Sequence, residues 1–219
     1  MNQQRTIDVL SQQSVIARNK VLRQTYILLS ANVFFSALCA YIGMKLNVGN
    51  IPWFMSIVAL MGLSYGIEKN KNNGLGIVLL FALTGFLGFV VANMVGTLVA
   101  ANLGYVVVKA LIGTGIIFFA LSAYVLATGT NFTFLGGFLF VGIVIALLAG
   151  VGAIFFNMTA LSLVVSGASL IIFSGYVLYH TSNIIHGVEG NYITATLDLF
   201  ISIFNIFTSL LHLILAFRE

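Results

Sequence analysis

The sequence predicts an all-α fold, a polytopic membrane bundle of seven transmembrane helices in one domain, and three observations carry that prediction. Of 219 residues, 60% are apolar and only 6% charged, against roughly a quarter charged in an ordinary soluble domain. The apolar stretches run about 17 to 26 residues, close to the roughly 20 that a helix needs to cross a hydrocarbon core of about 30 Å. They also lack the period-two alternation of a membrane barrel, which leaves helices to satisfy the spanning backbone internally.

The elements follow in chain order. Residues 1–24 form a polar tail carrying Arg5, Arg18, Lys20 and Arg23, with no apolar region or small-residue cleavage site of a removable signal peptide. The first span covers Thr25–Leu46 and holds the lone cysteine, Cys39, so no intrachain disulfide is expected. The second covers Pro52–Ile67, with the only proline at its start, where a missing N–H costs nothing. Spans three to five, Leu75–Leu98, Gly104–Ala127 and Phe132–Phe156, concentrate glycines at 85, 88, 96, 113, 115, 136, 137, 142, 150 and 152. Small residues let helix backbones approach in lipid, so tight packing is the expected role and a gating hinge the alternative. Spans six and seven cover Ala160–Tyr179 and Tyr192–Phe217, joined by the longest expected connection, His180–Asn191. No connection has room for a soluble domain, and no internal repeat of a transporter stands out.

Charge sets the expected topology. A cytoplasmic N-terminus puts Arg5, Arg18, Lys20, Arg23, Lys69 and Lys71 inside and Lys45 and Arg218 outside, which follows the positive-inside bias. The net charge of +4 is scattered at helix ends rather than gathered in a patch, which argues against nucleic acid as a partner. Membrane lipid is the partner that composition demands.

Two polar stripes stand out. The last span places Thr194, Asp198, Ser202, Asn205, Ser209 and His212 on one helical face, and span six does the same with Ser162, Ser166, Ser169, Tyr176, His180 and Asn183. On consecutive antiparallel helices these stripes face one another, through interhelical hydrogen bonds or across a shared aqueous cavity, and away from lipid. Asp198 is the sharpest signal, because an ionisable group inside a span marks a functional site by default. His180 belongs to the same side of the membrane, and a histidine beside a carboxylate makes a candidate proton sensor. His180, Asp198, Ser202 and Asn205 are therefore the candidate pH or ion site, with Tyr176, Asn183, Ser209 and His212 as supporting polar groups. Lys109 is read as snorkelling to the outer interface, and Asn32 and Asn93 as bonding to neighbouring backbone. Zinc spacings, phosphate loops and a nucleophile elbow do not occur, and nothing positions Ser202 and His180 as a dyad. No cofactor, metal or catalytic activity is expected.

The segment Leu178–Leu211, LYHTSNIIHGVEGNYITATLDLFISIFNIFTSLL, resembles the C-terminal signature of the Bax inhibitor-1 (TMBIM) family. Lys20–Ser30 (KVLRQTYILLS), Ala82–Phe89 (ALTGFLGF), Ser122–Thr128 (SAYVLAT) and Phe134–Gly137 (FLGG) are similar to its bacterial YccA branch. The resemblance implies seven helices with the last one central and surrounded by the other six. It also implies an inner-membrane partner and modulator of the FtsH protease, engaging it partly through a cytoplasmic N-terminal tail and resisting its extraction. Other members act as pH-sensitive calcium leaks through two aspartates on the last two helices. Those positions fall here on His180 and Ser202, so neither carboxylate is present, which weakens calcium as a ligand because that ion wants several charged oxygens. Asp198, one turn from Ser202, is the carboxylate left to replace them.

Overall fold

The computed structural model describes the backbone of residues 2–49 and 51–218, and within these the side chains of 16, 18–49, 51, 52 and 54–218. Among the described residues seven helices follow in order: α1 (Asn2–Lys45), α2 (Trp53–Lys69), α3 (Gly74–Ala100), α4 (Gly104–Thr128), α5 (Gly136–Phe155, after a short 3-10 turn at Thr133–Leu135), α6 (Thr159–Ile185) and α7 (Tyr192–Ala216). Six are long and apolar enough to cross a membrane. The seventh, α2, has 17 residues and spans roughly 26 Å, at the lower edge of what a bilayer core requires.

Two boundaries differ from the sequence reading. The polar tail does not end in a break before the first span: α1 starts at Asn2 and runs through it without interruption. Met1 and the side chain of Arg5, counted above among the inner charges, lie outside the described residues. Helix α6 continues past Tyr179 to Ile185, so His180 and Asn183 are helical and the connection shrinks to residues 186–191. The polar run Thr181, Ser182 and Asn183 hid this continuation, yet all three side chains are buried in the bundle. Gly187, at φ 73°, then turns the chain out of α6, a conformation that glycine adopts without penalty.

The architecture centres on α7, which packs against α1, α2, α3, α4 and α6. Helix α5 is the exception to the expected ring of six, because it packs on α6 and its own preceding turn and leaves α7 untouched. The most extensive helix pair is α1 with α3. Their approach depends on missing side chains: a Cβ at Gly88 would collide with the Ser36 carbonyl oxygen, and one at Gly43 would stand 2.7 Å from the Ala92 Cβ. Gly115, Gly137 and Gly152 meet nothing within 4 Å, so close packing explains only part of the glycine content.

Buried polar ties join helices at several depths. Thr84 of α3 donates to the Asn32 side-chain oxygen of α1 at 2.9 Å, and Thr196 of α7 donates to the Thr25 carbonyl of α1 at 3.3 Å. Asn32 also donates to its own helix at the Leu28 carbonyl, and Asn93 reaches the Val48 carbonyl at 3.5 Å. The Tyr26 hydroxyl of α1 meets the Ser122 hydroxyl of α4, which in turn lies 3.4 Å from Thr181 of α6. At helix ends Lys45, Lys69 and Lys109 each sit over the ring of the tyrosine four residues earlier, Tyr41, Tyr65 and Tyr105, within 5.6 Å. For Lys109 that direction leads toward the start of α4, as expected of a side chain reaching out of the hydrocarbon.

Candidate functional site

The end of the bundle that gathers the start of α1, the α2–α3 turn and the α6–α7 connection carries its densest polar cluster. Asn191 builds the start of α7, since its side-chain oxygen accepts from the Ile193 and Thr194 backbone N–H groups as a helix N-cap. Its amide simultaneously donates to the Lys71 carbonyl at 2.9 Å and to Asn72 at 3.1 Å, tying the two connections together. Thr194, in the first turn of α7, donates to Glu68 of α2 at 3.1 Å. Glu68 is also paired with Lys71, and that hydrogen bond holds the Lys71 ammonium above its ordinary pKa. Arg18 of α1 reaches the Ile185 carbonyl at the last turn of α6.

One turn deeper, His180 of α6 faces Asp198 of α7, with Nδ1 3.4 Å from the carboxylate. Tyr176 stacks on the imidazole at 5.2 Å between centroids and an interplanar angle of 19°, and Tyr179 meets it edge-on at 5.1 Å. These groups border a cavity of about 290 Å³ lined by Tyr179, His180, Asn183, Glu189 and Asp198 among others. Asn183 is 7% exposed, and its side-chain oxygen is buried without a hydrogen-bond partner among the described residues. Glu189 accepts from the Asn191 backbone N–H at 2.6 Å, which fixes a second carboxylate at the cavity wall.

Of the residues singled out from sequence, the structure thus gathers Tyr176, His180, Asn183 and Asp198. The remainder behave differently. Ser202 donates to the Asp198 carbonyl at 2.8 Å and Asn205 to the Ile201 carbonyl at 2.8 Å, both on their own helix. Ser166 likewise turns back to Ser162. Of the two expectations for the facing stripes, interhelical hydrogen bonds or a shared cavity, the first does not describe these three side chains, which donate to the carbonyl one turn earlier, an option always open to short polar side chains in helices. Ser202 is therefore not aimed at His180. Ser209 is buried, whereas His212, near the opposite end of α7, is exposed, so the stripe does not stay inside the bundle along its whole length. It turns outward in the last turns of α7. Among the described residues no three His, Cys, Asp or Glu side chains converge as a metal site would require.

Sequence reasoning missed Glu68, Glu189 and Asn191. Asn191 carried a readable signal, an asparagine immediately before a long apolar run, as N-caps are placed. The two glutamates stand at helix margins where a charge is unremarkable, and only the fold brings them beside α7.

Comparison with known proteins is consistent along nearly the whole chain. The family described as inhibitor of apoptosis-promoting Bax1 matches residues 18–219. The chain is 43% identical over 201 residues to the modulator of FtsH protease YccA of Escherichia coli (strain K12), covering 92% of each chain. The counterpart in an E. coli O6:H1 strain, described as inner membrane protein YccA, matches with the same identity and coverage. An uncharacterized protein of Pseudomonas aeruginosa is 39% identical over 194 residues, covering 88% of this chain and 87% of its own.

Proposed function

The chain belongs to the Bax inhibitor-1 family, and from that premise we propose that it is a non-enzymatic inner-membrane protein that binds and modulates the FtsH protease. The observation carrying this reading is the 43% identity, over 92% of each chain, to a relative named for that role. A modulator of this kind needs a resistant fold and an accessible segment rather than a reaction centre. The bundle supplies the first through α7, and the polar residues 2–17 at the beginning of the chain are the segment assigned to the second. The cytoplasmic placement of that end is supported by charge, because Arg18, Lys20, Arg23, Lys69 and Lys71 all belong to the end of the bundle where Asn191 ties the connections together.

The test uses residues 2–17 alone, because Val21 and Leu22 pack against the core and their removal would damage the bundle. Full-length protein purified from membranes is expected to retain FtsH and to slow degradation of a membrane substrate of that protease. Deleting 2–17 is expected to abolish both effects. Equal retention and equal degradation rates with and without the segment would overturn the reading.

One observation favours a second reading, a proton-gated cation leak. His180 and Asp198 face each other at 3.4 Å on the wall of a 290 Å³ cavity. Liposomes carrying the purified chain would then show cation flux that varies across about pH 6 to 8 and changes in His180→Gln and Asp198→Asn. Absence of flux from a correctly folded sample would discard it.

A further inference from the structure

Helices α1 and α4 both pack around α7 and meet each other at Tyr26, which touches Phe118 and Ser122, while their backbones stay apart. The gap between them is a cleft of about 690 Å³ with an almost wholly apolar lining, closed at one end by the Tyr26–Ser122 contact. Phe200, Ile203, Phe204 and Phe207 of α7 form its floor. It runs from Tyr26 to Met44 on α1, about 27 Å at 1.5 Å per residue, nearly the depth of a hydrocarbon core.

The open edge of this cleft has a charge pattern. Arg23, Ser30, Phe34, Tyr41 and Lys45 follow at steps of 7, 4, 7 and 4, which places them on one stripe of α1. The three middle residues line the cleft, and the two cations stand just beyond its ends. Both cations are exposed. Arg23 has no ion-pair partner among the described residues, and Lys45 lies over the ring of Tyr41, itself a lining residue. The two are about 33 Å apart along the helix, the separation of the two headgroup layers.

We propose that this cleft is a binding site for anionic phospholipid, with acyl tails along the apolar floor and phosphate groups at Arg23 in one leaflet and Lys45 in the other. A methylene takes up close to the roughly 30 Å³ of a liquid water, so the cleft of about 690 Å³ holds about 23 chain carbons, a part of the tails of one lipid in each leaflet, whose remainder stays in the bilayer. Charge selects the headgroup, because each end offers a cation and no carboxylate side chain belongs to the lining.

The test is native mass spectrometry of the full chain in detergent, with phosphatidylglycerol or phosphatidylcholine of identical tails added. Wild-type protein is expected to retain phosphatidylglycerol preferentially, and Arg23→Gln with Lys45→Gln to lose roughly five-fold of that preference per cation removed. Both substitutions alter exposed side chains and leave the packing intact, which size-exclusion and melting profiles verify. Lys109→Gln is expected to change nothing, since Val107 and Leu111 line the cleft and Lys109, two residues from each, stands on the opposite face of α4. Equal retention of the two lipids by the wild type, or an undiminished preference in the double variant, would overturn the proposal. So would a photo-crosslinker at Ala37, inside the cleft, that captures a membrane polypeptide and no lipid.

Discussion

His180 and Asp198 meet across the seam between α6 and α7, 3.4 Å apart, with the Tyr176 ring stacked on the same imidazole. Each side chain keeps some exposure, 15% and 33%, so the pair is neither fully buried nor freely solvated. A double-mutant cycle with His180→Gln and Asp198→Asn is expected to give a coupling of about 0.5–1 kcal/mol in equilibrium unfolding. Strict additivity of the two changes would show that the groups do not sense one another.

Asn191 holds α7 in two ways, as N-cap and as amide donor to the α2–α3 turn. Losing the cap costs about 1 kcal/mol and losing the donor about as much again. Asn191→Ala should therefore lose about 2 kcal/mol, and Asn191→Asp, which keeps the cap acceptor, about half of that. Melting curves of the two variants side by side separate the contributions, and equal losses would remove the inter-connection tie from the account.

The α1–α3 pair has no room for a methyl group at Gly88, where backbone stands opposite. Gly88→Ala is expected to cost about 1–3 kcal/mol by pushing the helices apart. Gly115→Ala, at a position with nothing within 4 Å, should be neutral or stabilising by up to about 1 kcal/mol. A wild-type melting temperature for Gly88→Ala would mean that the two helices separate without cost.

Stability at alkaline pH tests the turn between α2 and α3. Glu68 raises the Lys71 pKa above 10.5, so folding favours the ammonium form. That contribution is fully present below about pH 10.5 and is lost as pH rises through the folded-state value. Because solvent screens this surface pair the effect is small. It should appear as a fall in melting temperature as pH rises above about 10.5 that Lys71→Gln lacks. Parallel curves for both proteins would assign the fall to other groups.

The segments that cross the bilayer were legible because lipid imposes a simple demand, about 20 apolar residues with an internally bonded backbone. The facing of His180 and Asp198 was legible too, since antiparallel neighbours joined by a short connection place the end of one beside the start of the next. Periodicity along one helix says nothing about which of several lipid-compatible faces finds a partner. Hence the peripheral seat of α5, the gap between α1 and α4 and the pairing of Thr194 with Glu68 could not be read from sequence. The hydroxyls of Ser166 and Ser202 illustrate a second limit. A serine on an inward stripe has a carbonyl of its own helix within reach, so its position on the stripe does not decide where its proton goes.

The order of synthesis gives the central position of α7 a further meaning. Of the seven helices described, the one that touches five others leaves the ribosome after the other six. Until it arrives, the faces of Leu80, Val106, Phe118 and Val177, all fully or nearly fully buried in the finished protein, have no central partner. Lipid tails must occupy that seam during translation and be expelled when the 25 residues of α7 insert. A chain terminated early would lack its hub rather than an outlying piece, and would enter the membrane as a set of helices with nothing to close around.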